Sequence, residues 1–266
     1  MEPTLAGPPM SALGVALIRA RESARADALY EDPVAAAFVA AARAEFVQLD
    51  GETRRWDRVT ALADRFYPGR TAAVRVVDDH LVARLAEGVT QVVLIGAGLD
   101  TRALRLGGDA VHWFEVDLPG LFAFKERVLG TSPDHRHVVP ADLTGDWLPL
   151  LVDAGFRSGV PTAWVEEGVG PAWTRGSIEA ITRLSAPESS WWRLAMATDP
   201  TTPEYSELRA VVGGRVELRT RDATSGLLTE AGWRIRAERW DDLVSALGRP
   251  EACTGNPDDA ALVAGR

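Results

Sequence analysis

The hydrophobic and polar positions change their period along the chain. From Ser11 to about Tyr30, Leu13, Leu17, Ile18, Ala24 and Ala28 recur at helical spacing, with Ser11 suited to cap the helix start. A second helix is predicted after Pro33, with Val34, Phe38 and Val39 on one side. Two more are predicted at Thr60 to Tyr67 and Thr71 to Leu85, and in the latter Val74, Val77, Leu81 and Leu85 form the apolar stripe. Short apolar runs then begin to alternate with helical segments. Strands are predicted at Gln91 to Ile95, Val111 to Val116, Arg136 to Val139, Thr162 to Glu166 and Trp191 to Ala197. Helices fit between them at Asp100 to Leu106, Leu121 to Leu129, Leu148 to Ala154 and Thr174 to Leu184. Continuous apolar strands separated by crossovers are what a parallel sheet covered on both faces requires. Beyond Asp199 the chain predicts a helix at Ser225 to Ala231, a strand at Trp233 to Glu238, a short helix and a last strand at Ala261 to Ala264. The pattern therefore predicts an α/β fold with a seven-stranded sheet. A helical extension over 1–88 precedes a Rossmann-like core over 89–266, with no repeat or linker between them.

Charge narrows the range of partners. The formal net charge is −9, and no run of Lys or Arg stands apart from acidic residues, so a nucleic-acid footprint is not expected. Cys253 is the single cysteine, which rules out an intrachain disulfide. The opening MEPTLAGPPM lacks the basic and apolar stretches of a secretory signal, and no apolar run approaches the roughly 18 residues of a membrane span. A cytoplasmic protein is expected. Positive charge is almost all arginine, which a compositional bias explains; Lys125, the only lysine, is not explained that way.

Candidate chemistry begins where Val92-Val93-Leu94-Ile95 runs into Gly96-Ala97-Gly98, and Asp100 or Thr101 can cap the next helix. Glycines suit this turn because a Cβ holds a ligand off the backbone and because such turns often need positive φ. The third glycine of the dinucleotide fingerprint would fall at Thr101, which weakens a nicotinamide or flavin reading. Glu115 lies 19 residues after Gly96, at the end of the next predicted strand. From there a carboxylate can accept bonds from both hydroxyls of a ribose, as in NAD and S-adenosylmethionine sites. Asp142, after the third strand, has two readings: an acceptor for an adenine amino group with Leu143 against the ring, or the cap of a helix near Trp147. Glu166 and Glu167 end the fourth strand, on the side where open parallel sheets place their ligands. The four histidines, His80, His112, His135 and His137, sit at no strand end, so no catalytic acid or base is assigned; no metal site is expected.

At these residues the chain resembles the leucine carboxyl methyltransferase-like family, which includes protein phosphatase methyltransferases and bacterial polyketide O-methyltransferases. The run from Val92 to Ala103 is similar to the family's glycine motif almost residue by residue, and Phe114-Glu115-Val116-Asp117 to its ribose-binding segment. Lys125, Asp142-Leu143, Asp146-Trp147 and Pro161 to Val165 leading to Glu167-Gly168 extend the match. Arg19-Ala20 with Glu22, and Asp32-Pro33, resemble the family's helical lid. The likeness covers roughly Ser11 to Ser190, with an echo at Gly232-Trp233.

The resemblance implies a class I S-adenosylmethionine-dependent methyltransferase fold with an N-terminal helical lid. It implies methyl transfer to a carboxyl or hydroxyl oxygen of a small molecule, a polyketide-like natural-product intermediate. The alternative is a related protein that binds the cofactor but acts as a cyclase or binding module. Implied cofactor contacts are Gly96, Ala97, Gly98, Glu115, Asp142, Leu143 and Glu167. An arginine on the helix before the first strand is also implied; Arg70 and Arg75 both qualify, with Arg70 taken for the cofactor and Arg75, Arg19 and Trp173 for the acceptor. After Glu167-Gly168 the family continues with Leu-Leu and an aromatic residue, whereas this chain has Val169-Gly170-Pro171-Ala172-Trp173, expected to form one wall of the acceptor pocket.

Overall fold

In the computed structural model, residues 10–48, 53–167, 175–187, 191–194 and 221–266 are described. The described residues open with three helices, α1 (Met10–Ser23), α2 (Pro33–Gln48) and α3 (Thr53–Ala86). Leu13, Ala16 and Ile18 are buried along α1, which packs on both α2 and α3. The sequence predicts separate helices at Thr60 to Tyr67 and Thr71 to Leu85, yet α3 runs through both with Pro68 inside. A proline there removes one backbone bond and crowds the preceding turn. Tertiary contacts on either side of it hold the helix together: Tyr67 donates to Glu22 of α1, and the hydroxyls of Tyr30 and Thr71 are 2.9 Å apart.

Among the described residues the sheet has seven strands, in the order β3-β2-β1-β4-β5-β7-β6. They are β1 (Gln91–Ile95), β2 (His112–Asp117), β3 (Arg136–Pro140), β4 (Thr162–Glu166), β5 (Trp191–Leu194), β6 (Arg234–Arg239) and β7 (Ala260–Gly265). The first five are parallel, and β7 runs antiparallel to both β5 and β6. The connecting helices are α4 (Arg102–Arg105), α5 (Pro119–Leu129), α6 (Leu148–Asp153), α7 (Arg175–Leu184), α8 (Arg221–Glu230) and α9 (Trp240–Ala246).

Alternation along the central strands builds a core on each face of the sheet. Val93, Ile95, Phe114, Val116 and Trp164 pack with Trp147, Phe156 and Ile178. Val92, Leu94, Trp113, Ala163 and Val165 pack with Val77 and Leu81 of α3. A third cluster brings Leu13, Phe38 and Val59 from the N-terminal helices onto Leu99, Leu121 and Phe124. Fully burying such a side chain contributes about 1.5–3 kcal/mol, so this cluster binds the helices firmly over the carboxyl edge of β1 and β2. Among the described residues no helix is long and apolar enough to cross a membrane.

Candidate functional site

The turn after β1 is held by its neighbour strand: Gly96 and Ala97 donate their N–H groups to the carbonyl of Val116 at 2.9 and 3.1 Å. Gly96 has φ 68° and Gly98 φ 52°, a region that side-chain-bearing residues adopt at a cost. A Cβ on Gly98 would also come within 3.4 Å of Ala12 Cβ, because α1 lies directly over the turn.

Glu115 departs from the sequence expectation. β2 continues to Asp117, which leaves Glu115 inside the strand opposite Leu94 and Val138. It is fully buried, and its Oε2 accepts from Lys125 Nζ at 2.7 Å and Arg136 Nη2 at 2.6 Å. Arg136 goes on to Glu126 at 2.8 Å. Through Oε2 Glu115 thus belongs to a buried ion cluster, while its Oε1 is buried without a hydrogen-bond partner among the described residues and the residue stands two positions short of the strand end. The single lysine now has a reason: it neutralises that carboxylate. Burial pushes the Lys125 ammonium down from its ordinary range while Glu115 opposes the shift.

Asp117, on the same face two residues later, takes the strand-end position. Its Oδ2 accepts from Gly98 N and its Oδ1 from Leu118 N, both at 2.7 Å. Burial pushes the Asp117 carboxyl up, against those two backbone N–H groups. A sequence signal for this residue existed. Asp117 is 21 residues after Gly96, and Pro119 directly beyond Leu118 marks the helix start that ends the strand.

The Glu167 side of the turn carries a dense charge network. Arg70 Nη2 lies 3.4 Å from the Glu167 carbonyl and 3.8 Å from its Oε2. Arg75 is elsewhere: it donates to Asp79 at 2.8 Å and to the Leu29 carbonyl at 2.7 Å, is 40% exposed, and so does not face the strand ends. Between the two arginines, the structure sets Arg70 beside Glu167. Arg19 is also corrected. It is buried, donates to Asp32 at 2.8 Å, to Thr101 at 2.9 Å and to the Leu99 carbonyl, and so clamps α1 to the loop after the glycine turn. Asp32 also caps α2 through Ala35 N at 3.0 Å. Thr101, where a dinucleotide site would want glycine, donates to Asp32 at 2.6 Å and completes this clamp.

Arg102, unassigned from sequence, lies at the centre of the network. It donates from Nε to Asp78 at 2.6 Å, and from Nη1 to Asp100 at 2.7 Å and Glu167 at 2.6 Å. Burial alone would raise the Asp100 carboxyl, but the charges of Arg102 and Arg19 hold its pKa down to about 2.

Asp142 is exposed beyond β3, where Thr144 donates to its Oδ1 from N at 2.9 Å and from Oγ1 at 2.7 Å. These bonds, the backbone one first, hold its carboxyl below the ordinary range. The helix near Trp147 has no side-chain cap, so Asp142 stabilises its own turn instead. Leu143 packs partly into the core below. Leu118, next to Asp117, is 47% exposed, an apolar side chain at the sheet edge that the sequence reading missed. Trp173 and the Val169 to Trp173 segment lie outside the described residues. The histidines are remote from this edge: His112 Nδ1 and His137 Nε2 meet at 2.9 Å near the opposite ends of β2 and β3, and His135 Nε2 contacts the Ala103 carbonyl.

Residues 12–181 match the family model described as leucine carboxyl methyltransferase. A protein of Parafrankia sp. strain EAN1pec, named for S-adenosyl-L-methionine-dependent methyl transfer, is 44% identical over 92% of this chain and 83% of its own length. One of the same description from Frankia alni is 36% identical over 98% of this chain and 95% of its own. Among solved structures, a methyltransferase-type protein from Thermobifida fusca YX is similar with a TM-score of 0.58 at 16% identity, covering 98% of this chain and 96% of that one. The CurJ carbon methyltransferase gives 0.54 at 14% identity, covering 97% and 67%. Those two likenesses concern the fold alone.

Proposed function

Since this chain belongs to the leucine carboxyl methyltransferase family and is an S-adenosylmethionine-dependent methyltransferase, we propose that it methylates an oxygen of a small molecule. The acceptor group is a carboxyl or a hydroxyl, the carboxyl being favoured, on a polyketide-like natural-product intermediate. Residues 1–88 serve as the lid and 89–266 as the core.

One observation carries the cofactor site. Beside the glycine turn, Arg70 Nε and Glu167 Oε1 are buried without a hydrogen-bond partner among the described residues. Such a donor and acceptor each cost about 1–3 kcal/mol when left unmade, and together they complement the carboxylate and ammonium of an amino-acid group. Asp117, not Glu115, accepts from the ribose hydroxyls. Gly96, Ala97 and Gly98 leave room along the backbone; Asp142 takes the adenine amino group, with Leu118 and Leu143 as its apolar surroundings.

The bound cofactor supplies a methyl group already activated by its sulfonium, so the protein's task is alignment, an effect worth up to ~7–11 kcal/mol in favourable cases. A carboxylate acceptor is ionised at pH 7 and attacks without a base, whereas a phenol gains from one. The placement of His112, His135 and His137 away from the strand ends favours the first.

Incubation with methyl-labelled cofactor and a panel of aliphatic and aromatic carboxylic acids and phenols tests this. Label on oxygen is expected, one equivalent per S-adenosylhomocysteine formed: released as methanol by mild alkali where the acceptor is a carboxyl, and retained as an alkali-stable methyl ether where it is a hydroxyl. Label found only on carbon or nitrogen, in a product stable to alkali, overturns the O-methyl assignment.

A further inference from the structure

We propose that Arg102 is a positioning residue, which holds one oxygen of Glu167 so that the other is presented to the ammonium group of the cofactor. The inference rests on the reading above that Glu167 meets that ammonium, and adds how the carboxylate is kept in place.

The guanidinium is 2% exposed and gathers acids from three separate parts of the chain: Asp78 of α3, Asp100 just after the glycine turn and Glu167 just after β4. Its plane fixes the directions of its donors. With Nε committed to Asp78, and Asp100 anchored by the Arg102 backbone N–H at 2.7 Å, the orientation of Nη1 toward Glu167 Oε2 is determined. Binding Oε2 in this way stops the carboxylate from rotating, and it leaves Oε1 as the buried acceptor without a partner among the described residues. Arg70 approaches the same carboxylate only at 3.8 Å and bonds to its carbonyl at 3.4 Å, so it does not fix the rotation.

The charges close around the same residue. Asp78, Asp100 and Glu167 face Arg102, Arg105 and Arg70, and Arg105 satisfies the second oxygen of Asp78 at 2.8 Å. The cluster is thus neutral before anything binds, and an ammonium and a carboxylate arriving together leave it neutral. Lysine in place of Arg102 keeps the charge but not the planar fork, and it cannot reach Asp78, Asp100 and Glu167 in the same geometry.

Two ligands separate positioning from mere structural support. S-adenosylhomocysteine carries the amino-acid group; 5′-methylthioadenosine has the same adenine, ribose and thioether but lacks it. Affinities for both are measured by calorimetry on the wild type, Arg102→Lys and Glu167→Gln. Arg102→Lys is expected to weaken S-adenosylhomocysteine by about ten- to hundredfold, the equivalent of one charge-assisted bond, and to leave methylthioadenosine unchanged. Equal loss for both ligands, or no loss for either, overturns the positioning role. Glu167→Gln distinguishes the underlying reading. If it weakens S-adenosylhomocysteine selectively while Arg102→Lys does not, only the inference fails; if it leaves that affinity unchanged, the assignment of Glu167 to the ammonium fails with it. Should Arg102→Lys not fold, Asp78→Asn combined with it removes the negative charge of the acid whose Oδ1 loses its Arg102 partner, with Arg105 still able to bond the remaining oxygen, and the same ligand comparison applies.

Discussion

Replacing Asp117 by alanine is expected to weaken S-adenosylhomocysteine binding by about 1.5–3 kcal/mol for each charge-assisted bond lost, roughly ten- to hundredfold, while the protein stays folded. The fold tolerates the change because the partners released are the N–H groups of Gly98 and Leu118, at a half-buried position beside an exposed residue where water can replace the carboxylate. Calorimetric titration of the variant, with its melting temperature recorded alongside, is the check. Wild-type affinity in a folded Asp117→Ala protein would remove this residue from the site.

Glu115→Ala is expected to do the opposite, costing stability before it touches affinity. Its carboxylate lies between Lys125 and Arg136 with both partner side chains fully buried, and removing one member of a buried cluster strands the others, typically at ~3–5 kcal/mol. For a domain of this size each kcal/mol lowers the melting temperature by about 2–4 °C, so the variant should melt roughly 6–20 °C lower. Glu115→Leu combined with Lys125→Leu should recover much of that loss, since apolar residues can replace a buried pair and Arg136 keeps Glu126. A Glu115→Ala protein with wild-type melting behaviour and weakened cofactor binding would restore Glu115 to the ribose and contradict the structural assignment.

The two acids show what sequence can and cannot reveal here. Strand and helix periods exposed the α/β class, the glycine turn and the acids near the strand ends, because these follow from local alternation and from backbone constraints at Gly96 and Gly98. Glu115 and Asp117 share one face of β2, and choosing between them needs the strand's true end. Val116 looks like the last apolar residue of the run, but pairing with Pro140 of β3 carries the strand on to Asp117. The arginines were ambiguous for a related reason. Arg70 and Arg75 lie on one helix, and only the fold shows that the first reaches Glu167 while the second is tied to Asp79 and Leu29. Arg19 and Thr101 join residues about eighty positions apart into one clamp, a pairing no local pattern encodes. The two helices predicted at Thr60 to Tyr67 and Thr71 to Leu85 are one in the fold, because contacts on both sides of Pro68 maintain a single helix.

The central claim is that the cofactor lies across the Gly96 to Gly98 turn with its ribose on Asp117, its amino-acid group between Arg70 and Glu167, and Glu115 left beneath in its ion cluster. A crystal structure of the S-adenosylhomocysteine complex tests it most directly. The account predicts both ribose hydroxyls within hydrogen-bond distance of the Asp117 carboxylate, the ammonium on Glu167 Oε1, and Lys125 still paired with Glu115. A nucleoside bound away from the glycine turn, or a ribose contacting Glu115 with Lys125 displaced, would contradict it.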